Sequence, residues 1–280
     1  AGGGGRGRRA APRGLVEAVS APPVLVAREG PVVRVTLNRP ERRNAIGGGM
    51  GEALDALLAE LAQDRTARVV VLRGAGGHFC AGLDLTEVGQ GPREERLAAG
   101  ERRNRAMGER LRALSALPQV VVAAVEGAAH AGGLGFVCAA DIAFASADAR
   151  FAAPEVRRGL VPAQILPWLV RRMGRSQAAR LVLEAGVLEA PAALAMGLVH
   201  EVLPDRAALE ARLAALLAAL REAAPGALAE TKALLAALGP VAPEGYAEAG
   251  VAAFARTAAG PEAEEGIAAF REKRKPAWAV

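Results

Sequence analysis

The chain has 280 residues, 52% hydrophobic but only 3% aromatic, so Leu, Val and Ala must fill a large core. No apolar run reaches the roughly 18 residues of a membrane-spanning helix, which argues against a membrane partner. The net charge of +5 falls to +1 without the four arginines Arg6, Arg8, Arg9 and Arg13, and no arginine stripe with interleaved aromatics follows, which argues against nucleic acid.

The opening AGGGGRGRRAAPRG lacks the apolar segment of a secretory signal. It reads as a disordered leader over residues 1–22, with the Arg-rich, acid-poor character of a transit peptide. VVRVTLN (32–38) alternates Val33, Val35 and Leu37 with polar residues, the period of a half-buried strand. Leu54, Leu57, Leu58 and Leu61 recur at helical spacing, which predicts an amphipathic helix over 50–63. RVVVLR (68–73) predicts a second strand, stopped by GAGG. The Arg-rich stretch 93–117, with Leu97, Leu111, Leu114 and Leu117, predicts a charged surface helix.

QVVVAAVEG (119–127) and ADIAFAS (140–146) read as buried strands, and a short buried helix follows Gly132 and Gly133. Beyond Pro162 helical patterns dominate, interrupted by the short LVHEVL (198–203). The strongest helix is 206–224, which Pro225 and Gly226 are expected to end. The class is α/β, with a core over 23–204 and a helical region over 205–280. Two cysteines, Cys80 and Cys138, give no disulfide framework and point to a reducing, cytoplasmic setting.

Three stretches carry chemistry. GAGGHFCAGLDL (74–85) is either a plain Gly-rich turn or a place where a ligand approaches the main chain. Gly132 and Gly133 open a helix, whose first N–H groups have no internal partner and favour negative charge; close helix–strand packing would also call for glycine. Glu155 follows Pro154 among apolar residues, where a carboxyl gains proton affinity unless Arg157 or Arg158 pairs with it. His78 and Cys80 are two apart, but no further ligands suggest a metal.

Taken in order, LNRPERRNA, HFCAGLDL, VAAVEGAAHAGGLG, FAAPEVRRGLVP and the terminal FREKRKPAW resemble the enoyl-CoA hydratase/isomerase (crotonase) superfamily over about residues 24–280. The resemblance implies a spiral of ββα units with C-terminal helices that build homotrimers or hexamers. It implies an acyl-CoA thioester substrate, with coenzyme A part of that substrate and no separate cofactor or metal. By motif position the backbone N–H groups of Leu83 and Gly132 would form an oxyanion hole, and Glu155 would be the acid–base residue. Arg42, Arg43, Ala45, Ala81, Asp84, Leu85, Phe270 and Lys273 match positions that contact the substrate or its coenzyme, Asp84 alternatively fixing its own loop.

One departure stands out. Where the family's typical hydratases carry a second glutamate, this chain has Gly135, so the two-glutamate mechanism does not transfer intact. Gln164 is a polar candidate for the missing partner, or a solvent-facing helix-start residue. His130, just before the glycines, reads as a structural histidine within reach of the pocket. Finer likeness in 117–143 and 159–172 is to isohexenylglutaconyl-CoA hydratases. Hydration of a 2-enoyl-CoA is therefore expected first, Δ3,Δ2-enoyl-CoA isomerisation by the same glutamate second, and a non-catalytic acyl-CoA-binding paralogue third.

Overall fold

The computed structural model describes residues 21–87, 91–223, 225–237 and 246–277; the expected leader lies outside them apart from its last two residues. The strands are β1 (Val24–Glu29), β2 (Val32–Leu37), β3 (Val69–Gly74), β4 (Val120–Val125), β5 (Ala128–His130), β6 (Ile142–Ser146), β7 (Arg150–Ala152), β8 (Val187–Glu189) and β9 (Glu201–Leu203). The helices are α1 (Met50–Gln63), α2 (Arg93–Ala116), α3 (Gly132–Ala139), α4 (Leu166–Glu184), α5 (Ala190–Ala195), α6 (Arg206–Glu222), α7 (Pro225–Ala237), α8 (Tyr246–Ala258) and α9 (Pro261–Arg271). Among the described residues no helix is long and apolar enough to cross a membrane.

A large sheet runs in the order β1-β2-β3-β4-β6-β9, parallel except for the antiparallel β1–β2 pair. Its central strand β4 is apolar at every position, and β3 over its first four residues, because both faces are covered. Val33, Val35, Val70, Leu72, Val121 and Ala123 join the main core with α1, α3 and α4. Val32, Val69, Val71, Val120 and Val122 instead meet Leu209, Leu213 and Leu217, one stripe of α6. The VVV runs thus serve two cores at once.

A small sheet of order β5-β7-β8 lies beside it, and Cys80 extends it through a parallel bridge to Ala129. Three successive turns of a spiral follow: β3, the Cys80 segment and α2; β4, β5 and α3; β6, β7 and α4. This is the crotonase-type arrangement of ββα units, with helices at the C-terminal end.

Most elements fall where their periodicity predicts, and the differences have local causes. β1 escaped because five of its six residues are exposed, leaving no alternation. β5, β7 and β8 are three residues each, too short to show a period. Pro225 opens α7 instead of ending α6, because proline's missing N–H costs nothing at a helix start. The α2 helix is only partly superficial: Arg110, Leu111 and Leu114 are buried, and the Arg110 guanidinium holds Asp55 of α1 through two bonds of 2.7 Å.

Candidate active site

Neighbouring parallel strands end side by side, so the residues just beyond them are brought together. Here the Cys80 segment runs into Leu83, β5 into Gly132, and β7 into Glu155. Residues about 50 and 25 apart in sequence become neighbours by this one arrangement. Ile46 N donates to Gly82 O at 2.7 Å and accepts, through its own carbonyl, from Asp84 N at 3.0 Å. The intervening Leu83 N–H therefore points away from that ladder. Gly132 is the first residue of α3, whose leading N–H groups lack a partner inside the helix.

The two loops touch. A Cβ placed on Gly82, at φ +88°, would lie 2.8 Å from Ala131 Cβ and 3.5 Å from Gly132 N. Only glycine fits there. A Cβ on Gly133 would lie 2.2 Å from Cys80 O, so that glycine also marks close approach of helix to strand. Ala131 adopts φ 50°, ψ −120°, an unfavourable region for a residue with a Cβ. Its N–H is held by Ala152 O at 2.8 Å, and this strained residue turns the chain into α3.

A cavity of about 600 Å³ opens over these strand ends. Leu83, Gly132, Glu155 and His130 line it. So do Arg42, Arg43, Ala45 and Ala81, followed by Asp84, Leu85, Gln164 and Phe270. Twelve of the fourteen candidate oxyanion, acid–base, substrate and pocket positions thus share one space. Lys273, exposed with φ +54° beyond α9, and Gly135 are not among the lining residues.

Glu155 opens a short 3-10 turn, Glu155–Arg158. Burial pushes its carboxyl up to about 7, against smaller downward pulls from its own backbone N–H and from Arg158. The Oε2 atom is buried and has no hydrogen-bond partner. No ion pair forms with Arg157 or Arg158: Arg157 donates to Glu184 O and Arg158 to Pro154 O. The Arg158 guanidinium stacks 4.8 Å from the Phe270 ring centroid, which ties this turn to α9. His130 Nε2, Arg103 Nε and Arg158 Nε are likewise buried without partners.

Other expected residues serve the framework. Asp84 Oδ1 accepts from Thr86 N at 3.1 Å and Thr86 Oγ1 at 2.6 Å, and its Oδ2 lies 3.1 Å from the Arg39 guanidinium. It fixes its own loop. Gln164 is buried and so does not face solvent; its Nε2 donates to Asn104 Oδ1 at 2.9 Å, in the seam between α2 and α8. A Cβ on Gly135 would lie 2.7 Å from Ile165 Cγ2 and 3.1 Å from Leu111 Cδ1. The space a second carboxylate would need is filled with hydrocarbon.

Two residues were not singled out in advance. Asn44, fully buried, accepts from Arg39 N at 2.8 Å and donates to Ala75 O at 2.8 Å and His78 O at 2.7 Å. It clamps the Arg42–Arg43 turn to the loop after β3; its signal was its place between a charged turn and an apolar run. Ile165 was hidden in an unremarkable apolar stretch. His78 Nδ1 accepts from Ala128 N at 3.2 Å, and burial pushes the Cys80 thiol up to about 12, so both are structural.

Comparison with known proteins places this geometry in context. Residues 27–280 match the family model described as enoyl-CoA hydratase/isomerase. The structure of AtuE from Pseudomonas aeruginosa is 44% identical, with a TM-score of 0.73 over 92% of this chain and 100% of that one. Enoyl-CoA hydratase AKT6-1 of Alternaria alternata is 33% identical over 89% of this chain and 82% of its own. Mevalonyl-coenzyme A hydratase SIDH of Beauveria bassiana is 34% identical over 88% and 91%. The chain belongs to the enoyl-CoA hydratase/isomerase family.

Proposed function

We propose that the protein adds water across a 2-enoyl-CoA thioester to give the 3-hydroxyacyl-CoA. The observation that carries this reading is the unpartnered Glu155 Oε2 at the cavity bordered by the Leu83 and Gly132 backbone. With the thioester oxygen accepting from both N–H groups, negative charge developing on that oxygen is stabilised by preorganised donors, about 3 kcal/mol each in comparable sites. Glu155, whose carboxyl burial pushes up to about 7, takes a proton from water and returns one to C2. Arg42 and Arg43 offer guanidinium groups to the coenzyme phosphates.

The acyl group we favour is branched and glutaconyl-type, on the likeness of 117–143 and 159–172 to isohexenylglutaconyl-CoA hydratases. Assembly into a trimer or a pair of trimers, built by 205–280, and a cytoplasmic location belong to the same reading. The absent carboxylate at Gly135 favours a second reading, Δ3,Δ2-isomerisation, in which Glu155 alone moves a proton.

The test is a panel of crotonyl-, 3-enoyl-, mevalonyl-type and glutaconyl-type CoA esters with the wild type and Glu155→Gln. Hydration lost in the variant is the expected result. Turnover of 3-enoyl esters only would establish the isomerase. Tight binding without turnover would mean an inert paralogue.

A further inference from the structure

Hydration with Glu155 alone leaves the second hydrogen of the attacking water without an acceptor. His130, on the adjoining strand end, carries an acceptor. It is the last residue of β5, in register with Ala152 of β7, and Glu155 follows Ala152 by three residues. Its backbone is pinned by the bond from His130 N to Cys80 O at 2.9 Å. The residue lines the same cavity as Glu155, and its Nε2, like Glu155 Oε2, is buried and unpartnered.

The neighbouring polar groups do not compete. Arg103 and Arg158 can only donate. Asp84 Oδ1 accepts from Thr86, and its Oδ2 lies 3.1 Å from the Arg39 guanidinium; Gln164 donates from Nε2 to Asn104 and packs its Oε1 against Gly108 of α2. Burial, and then the charges of Arg158, Arg43 and His78 facing it, hold the His130 imidazole below its ordinary proton affinity. A neutral ring with its hydrogen on Nδ1 presents a lone pair at Nε2.

We infer that His130 is a second catalytic residue, its Nε2 accepting one hydrogen of the attacking water while Glu155 accepts the other. This rests on the hydration reading above. As the water oxygen bonds to C3, Glu155 takes one proton and the C2–C3 π pair moves into the thioester enolate. The proton on Glu155 then passes to C2, restoring the carboxylate. The other hydrogen stays on oxygen as the product hydroxyl, still bonded to Nε2, and His130 ends neutral. A heterocycle thus takes the holding role that no carboxylate at Gly135 can fill.

The experiment compares His130→Leu and His130→Gln with wild type in two assays: hydration of an enoyl-CoA, and exchange of the α-proton of a saturated acyl-CoA with D2O. Exchange needs Glu155 and the backbone donors but no attacking water. His130→Leu should lower the kcat of hydration by about 100-fold, with KM and the exchange rate within about threefold. His130→Gln, which keeps an acceptor, should recover most of that loss. Undiminished hydration in His130→Leu, or exchange falling in parallel with hydration, overturns the assignment. A wild type that exchanges protons but never hydrates overturns the hydration reading and this assignment with it.

Discussion

Gly135→Ala asks whether the missing carboxylate is forbidden by packing. The new methyl would sit 2.7 Å from Ile165 Cγ2 and within 3.3 Å of both Leu111 methyls. Ile165 Cγ2 is attached directly to Cβ, so it moves only with the backbone or with a χ1 change. Overpacking of this kind costs about 1–3 kcal/mol, while replacing glycine by alanine inside a helix returns about 0.5–1 kcal/mol, leaving a net loss centred on about 1 kcal/mol. Ile165→Ala alone opens a cavity and costs about 2–5 kcal/mol. In the double variant the two errors partly cancel, so it should lose about 1 kcal/mol less than the sum of the single variants, because they share one space. Urea unfolding of the four proteins measures every corner of this cycle. If Gly135→Ala is as stable as wild type, or the two changes simply add, then Ile165 is not what excludes a side chain at position 135.

Further predictions concern residues already placed. Glu155 is protonated more readily in the folded chain, at about 7, than in an unfolded one. The folded state therefore binds more protons, and its stability falls as pH rises from the unfolded value through about 7. Glu155→Gln should accordingly be more stable than wild type at pH 8 by up to about 3 kcal/mol, with the gap closing toward pH 4; thermal melts across that range check it. The hydration rate, kcat/KM, should rise with pH and level off near 7, and Arg158→Met should move that inflection upward by removing a cation that favours the carboxylate. Asn44→Ala strands the Arg39 N–H and two carbonyls, for an expected loss of about 3 kcal/mol in denaturant unfolding; an effect under 1 kcal/mol would mean that water replaces the amide.

The division between what could be read in the chain and what could not follows from the range of each signal. The alternation in VVRVTLN and the leucine spacing of 50–63 are local, set by which face of a strand or helix meets the core, and they located β2 and α1 within a residue of their ends. The glycines of AGL and AGG announced close main-chain approach, because steric demand on a Cβ is written into the residue type itself. Glu155 was recognisable by its apolar neighbours in sequence, although whether Arg157 or Arg158 would neutralise it was not. That outcome depended on where the guanidinium groups found other acceptors, Glu184 O and Pro154 O.

The sequence by itself determined the α/β class, the main elements and the residues that could do chemistry, since each rests on periodicity or residue type over a short span. Tertiary structure alone decided that three parallel strand ends carry Leu83, Gly132 and Glu155 to one cavity, that Ile165 and Leu111 fill the space beside Gly135, and that Gln164 turns to Asn104. These are contacts between segments dozens of residues apart. No local pattern encodes them, because they depend on which strand lies next to which and on how much volume remains between the helices above.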